Sequence, residues 1–282
     1  MSNSSLILLG MLSVTVLSLR LPRFYVVTAL LASVALGYSC GAANQLGVLW
    51  LALLGAAAAV YAFNRGAKRL AGAVLMGMLA LALGLHVLPG FHTLMLITPH
   101  ILSPGAAPFY LPLSFDKAMA GIIMAAFIWK NPIDDIKTLR KVWRIAMPVM
   151  VVNVLVLVAL SMSMGYLNFA PKYTPLFWIW AVHNLLLTCL GEEVFFRGFI
   201  QRELTLRFSH LEQGAWFAVI IAAALFGAAH FAGGWQYALL AALAGVGYGM
   251  VFMKTQRLEM AMLAHFAMNA THFLLFAYPR LS

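Results

Sequence analysis

The chain has 282 residues, of which 63% are hydrophobic and 9% charged, with a mean hydropathy of +0.93 and a formal net charge of +10. So much apolar surface exceeds what a soluble domain of this size encloses, which excludes a water-soluble globular enzyme and points to a polytopic membrane protein. Nor does the positive charge signal nucleic acid, because the basic residues sit between apolar runs rather than on one soluble face, and there they act as topology signals.

A spanning helix takes about 20 mostly apolar residues. On that measure spans are predicted near Ser4 to Leu19, Phe24 to Cys40, Leu46 to Phe63, Leu70 to Leu88, Leu111 to Trp129, Ile145 to Tyr166, Pro175 to Glu203, Gly214 to Phe231, Gln236 to Met253 and Leu258 to Tyr278. The predicted fold class is all-α, a polytopic transmembrane helix bundle of roughly eight to ten spans. The first run has no Lys or Arg ahead of it and no small-residue cleavage site, so it reads as a retained anchor rather than a signal peptide. The fifth is interrupted by Pro112, Asp116 and Lys117. Ahead of it, His92 to Pro112 carries Pro99, Pro104, Pro108 and Pro112, which predicts a surface loop or re-entrant segment.

Asn131 to Arg144, charged and opening with Asn-Pro, reads as a linker dividing an accessory transmembrane region (1–142) from a C-terminal core (143–282). With ten spans, alternate loops collect Arg20 and Arg23; Arg65, Lys68 and Arg69; Lys130, Lys137, Arg140, Lys141 and Arg144; Arg202 and Arg207; Lys254 and Arg257. The opposite side holds Lys117, Lys172 and Arg280. By the positive-inside rule this bias puts both termini outside the cytoplasm.

Cys40 and Cys189 have no metal-ligand spacing and read as packing residues, as do the scattered methionines. Gly245, Gly247 and Gly249 follow no strand and open no helix, so they read as close helix packing rather than a phosphate loop. Trp178, Trp180, Trp216, Trp235 and Tyr278 fit an interfacial belt.

The chemistry concentrates in Gly191-Glu192-Glu193-Val194-Phe195-Phe196-Arg197-Gly198, where two acids and a base interrupt an apolar run. Intramembrane acids mark working sites, because an isolated charge is too costly in hydrocarbon. On an α-helix Glu193 and Arg197 share a face as an acid-before-base pair four apart, which predicts a buried ion pair. Glu192 points about 100° away with no such local counterion, which leaves it to work as a base. His183, nine positions before Glu192, falls on the opposite helix face.

Two further apolar segments carry Phe226-Gly227-Ala228-Ala229-His230 and His265-Phe266-Ala267-Met268-Asn269. Glu192 lies fifteen residues before Arg207 and His230 sixteen after Gly214, so both fall about 22–24 Å from the same turn at 1.5 Å per residue. His265 is eight residues past Arg257, about 12 Å by the same rise, and matches that depth less well. His265 and Asn269 lie one turn apart as a pair of donors suited to a developing oxyanion, with His272 continuing the stripe.

Glu-Glu-x-x-x-Arg, Phe-x-x-x-His and His-x-x-x-Asn, standing in this order, resemble the three motifs of the CPBP family of intramembrane endopeptidases, which includes the CAAX proteases and bacterial ABI-type proteins. The resemblance covers about Pro175 to Tyr278. It implies that Glu192 and His230 hold and activate a water, that His265 and Asn269 stabilise the tetrahedral intermediate, and that Glu193 and Arg197 support them. It further implies a membrane-embedded or lipid-anchored peptide or protein substrate, no nucleic acid, and a multi-pass protein of a bacterial inner membrane. The family is glutamic-type, which implies no cofactor; one carboxylate and two imidazoles at Glu192, His230 and His265 also form an acceptable catalytic zinc set. The competing reading is non-catalytic: a transporter, proton relay or bacteriocin immunity factor using the same buried polar groups.

Overall fold

The computed structural model describes residues 3–279, so Arg280, counted above on the sparsely basic side, lies outside the described residues. Among them run helices α1 (Asn3–Ser18), α2 (Arg23–Ser39), α3 (Gln45–Phe63), α4 (Gly66–Gly84), strands β1 (Leu94–His100) and β2 (Phe109–Leu113), then α5 (Phe115–Ile128), α6 (Ile136–Ser163), α7 (Leu176–Arg207), α8 (Gly214–Ala229), α9 (Trp235–Thr255) and α10 (Leu258–Leu275). The architecture is an all-α polytopic bundle, and α3, α4, α6, α7 and α9 are each long and apolar enough to cross a membrane. α1, α2 and α8 are apolar but shorter.

The chain forms two compact units, each made of separated stretches. The first holds Met1–His100, Tyr110–Lys130 and Trp178–Phe195. In it α1 pairs with α2 through buried hydroxyls, Thr15 Oγ1 lying 2.8 Å from Ser33 Oγ. The α3 start is capped by the Asn44 side-chain oxygen, which accepts from the Leu46 and Gly47 amides at 2.9 and 3.2 Å. At the centre of the unit lies α5, with 11 of its 14 residues buried.

Two expectations are corrected here. The proline-rich stretch before Asp116 is a two-stranded sheet rather than an irregular loop. With only two strands both are edges, where a proline without an amide hydrogen is tolerated. The fifth span is divided accordingly: extended chain to Leu113, then a 14-residue helix of about 21 Å, too short to cross a bilayer alone.

The second unit holds Ile101–Phe109, Asn131–Phe177 and Phe196–Ser282. Its organising helix is α9, packed against α6, α8 and α10. The glycines of α9 explain why. A Cβ at Gly245, Gly247 or Gly249 would stand 3.2, 2.4 and 2.9 Å from side-chain atoms of Arg197, Asn153 and Gln201 respectively. Arg197 and Gln201, four residues apart on α7, donate to the carbonyls of Gly245 and Gly249 at 3.0 and 2.9 Å. The glycine spacing thus reads as expected, as close packing, and it also admits polar anchors. The predicted linker is tied down rather than loose, the Ile133 amide donating to Glu259 Oε1 at 2.7 Å.

Candidate active site

The acids stand on α7, which departs from α geometry on both sides of them: Asn184–Cys189 and Val194–Gln201 are π-helical, and only Leu190–Glu193 between them is α-helical. Such widened turns recur at functional positions, where they re-aim side chains.

In the first unit Gly191, the residue before Glu192, meets Gly121 of α5 so closely that a Cβ on Gly121 would lie 2.5 Å from the Gly191 Cα. One turn before Gly121, the Lys117 ammonium lies 2.8 Å from Glu192 Oε1. The expectation that Glu192 lacks a counterion is overturned. Its partner comes from 75 residues upstream, beyond the reach of any local helix spacing. Neighbouring Asp116 is engaged elsewhere, with His86 Nδ1 2.7 Å from Oδ2 and the Lys117 amide donating to Oδ1 at 2.8 Å. Lys117, His86 and His183 also line a cavity of about 250 Å³. His183, placed on the far face by α-helical arithmetic, therefore lies near Lys117. The π stretch that follows it breaks the 100° per residue on which that exclusion stood. Glu193 is fully buried.

The second unit brings His230, His265 and Asn269 together around one cavity of about 100 Å³, which Tyr237, Tyr248 and His272 also line. By the same measure a water needs about 10–15 Å³, so the cavity admits several. His230 follows the last residue of α8, and its Nδ1 donates to the Phe226 carbonyl at 2.7 Å. That bond fixes the ring and makes Nε2 the acceptor nitrogen of the neutral imidazole. His230 and His265 meet at one ring: both pack on Phe226, with centroids 4.5 Å away for His230 and 5.7 Å for His265. His265 is also stacked on Tyr248, 4.7 Å between centroids at 14°.

Arg197 belongs to the same aromatic assembly. Its buried guanidinium lies 4.7, 5.3 and 5.9 Å from the Phe226, Tyr248 and Phe196 rings and donates to the Gly245 carbonyl. Sequence reasoning missed Lys117 and Tyr248. Lys117 carries a signal, being a cation inside an apolar run, but along the sequence that signal marks only an interruption of the fifth span and a charge on the sparsely basic side. Tyr248 carried a weaker one, as the aromatic residue within the glycine run. Among the described residues, no three His, Cys, Asp or Glu side chains form a group suited to a metal ion.

An integral membrane helix bundle with paired acids on a π-interrupted helix and an imidazole-lined cavity roomy enough for water is the class these features define. Residues 174–271, which are 98 of the 282, match the family model described as type II CAAX prenyl endopeptidase Rce1-like. The resemblance to CAAX-type proteases is borne out over that segment, which contains all three motifs. No curated protein and no solved structure matches the chain.

Proposed function

We propose that this protein is a glutamic-type intramembrane endopeptidase that hydrolyses a peptide bond in a membrane-embedded or lipid-anchored substrate. The observation that carries the reading is the clustering of His230, His265 and Asn269 around one water-sized cavity, within the segment that matches the protease family. Glu192, by its place in the Glu-Glu-x-x-x-Arg motif, is the base. It takes a proton from a water whose oxygen attacks the scissile carbonyl carbon, and His230 orients that water. The carbonyl π electrons move onto oxygen, and the resulting oxyanion is held by N–H donors of His265 and Asn269. Collapse of the intermediate breaks the C–N bond, and the proton held by Glu192 passes to the departing amine.

The test is turnover of a membrane-reconstituted fluorogenic peptide, with insertion and folding checked by detergent-phase thermal unfolding. Glu192→Ala and His230→Ala are each expected to abolish cleavage while remaining folded, and a chelator is expected to leave wild-type cleavage unchanged. Cleavage at the wild-type rate by either variant overturns the assigned roles, and loss of activity with chelator overturns the glutamic type.

A further inference from the structure

Lys117 stands in the region expected to be accessory, yet its ammonium lies 2.8 Å from Glu192 Oε1. We infer that Lys117 is a positioning residue for Glu192, its counterion and orienting donor during hydrolysis. This rests on the endopeptidase reading.

Three features of the first unit build the contact. First, α5 and α7 approach so closely at Gly121 and Gly191 that a Cβ on Gly121 has no room, and Lys117 and Glu192 are the nearest charged neighbours of those glycines on their own helices. Second, the adjacent Asp116 does not compete for the ammonium, because His86 lies against Oδ2 and the Lys117 amide bonds Oδ1. His86 holds that bond from a left-handed backbone conformation, φ 57°, unusual for a residue other than glycine. Third, the Lys117 side chain is 35% exposed and lines the cavity of about 250 Å³, whereas the Glu192 side chain is 11% exposed. The cation thus keeps one side open to a cavity, and the carboxylate is not buried uncompensated. A charge-assisted bond of this length fixes which way the carboxylate faces, as a base acting on a bound water requires.

The experiment compares Lys117→Met, Lys117→Arg, Gly121→Ala and Glu192→Gln on the fluorogenic peptide in reconstituted membranes. Lys117→Met is expected to lower kcat about 100-fold, the order of effect of a misplaced catalytic group, with KM within about twofold. Lys117→Arg should recover most of that loss. Gly121→Ala, which keeps the charge but forces the helices apart, should fall in the same direction as Lys117→Met. A Lys117→Met protein with wild-type kcat overturns the inference; if Glu192→Gln is inactive in the same assay, the endopeptidase reading stands. Cleavage by Glu192→Gln overturns that reading itself. Thermal unfolding of the two single variants and the Lys117→Met/Glu192→Gln double variant reads the pair without any substrate. The double variant should recover about 2–4 °C relative to the sum of the single losses, and strictly additive losses overturn the pairing.

Discussion

At Tyr248 one side chain serves two neighbours, its ring stacked on His265 and its face turned to the Arg197 guanidinium. Tyr248→Leu keeps apolar volume but removes both ring interactions. An aromatic pair contributes about 0.5–1.5 kcal/mol and a cation over a ring about 0.5–2 kcal/mol. A destabilisation of about 1–3 kcal/mol is therefore expected, read by thermal unfolding in detergent, together with a loss of turnover. Tyr248→Phe should keep most of the stability. Lys172, in the segment between α6 and α7, allows a pH experiment. Burial pushes its ammonium down to about 8 from the ordinary 10.5. Because the folded value is the lower one, the contribution to stability is full above 10.5 and is lost as pH falls through about 8. Amine acylation at pH 8, followed by peptide mapping, should modify Lys172 ahead of the other lysines. What was legible at this scale was set by spacing along one helix: His265 and Asn269 share a cavity because one turn separates them. The partner of Glu192 was not legible, since a contact across 75 residues has no signature in local periodicity.

Between elements, the hairpin of α8 and α9 leaves no room for a side chain at Gly227. A Cβ on Gly227 would meet the Ala238 carbonyl oxygen and the Ala242 Cβ, each at 2.6 Å. Gly227→Ala should therefore cost about 1–3 kcal/mol by overpacking and reduce turnover, because Phe226 and His230 flank the same turn. Gly55 of α3 is the control, with nothing within 4 Å of an added Cβ. Gly55→Ala should be neutral or stabilising by up to about 1 kcal/mol, since alanine loses less backbone freedom in a helix. Unfolding temperatures of the two variants measured side by side check both. Most helices could be read from length and apolar content alone. The π stretches of α7 could not, because a 3.6-residue period was assumed throughout, and that assumption misplaced His183. The β1–β2 sheet was hidden by its prolines, which break helices but sit acceptably in strands that have a free side.

For the whole molecule, if all ten apolar segments of the sequence cross, the basic residues cluster in alternate connections, a bias of fourteen against three when Arg280 is included. Cysteines introduced at Arg65 and Asp134 are thus expected to react with a membrane-impermeant thiol reagent from the cytoplasmic side, and one at Tyr173 from the other. Labelling of Arg65→Cys and Tyr173→Cys from the same side would refute this topology. The bundle character was legible from hydropathy alone, whereas the interleaving of chain stretches into two compact units was not, because it depends on contacts between distant segments. The longest uninterrupted α-helix among the described residues carries a last consequence. α6 has 28 residues, about 42 Å at 1.5 Å each, against a hydrocarbon thickness of about 30 Å. Its first nine residues, Ile136 to Arg144, include four cations, while the apolar remainder is about 28 Å long. The junction at Arg144 and Ile145 therefore works as a depth gauge. In lipids with longer acyl chains those cations are drawn toward the headgroups and the helix must straighten; in shorter ones it must tilt. Activity in this protein is accordingly expected to peak at one acyl-chain length.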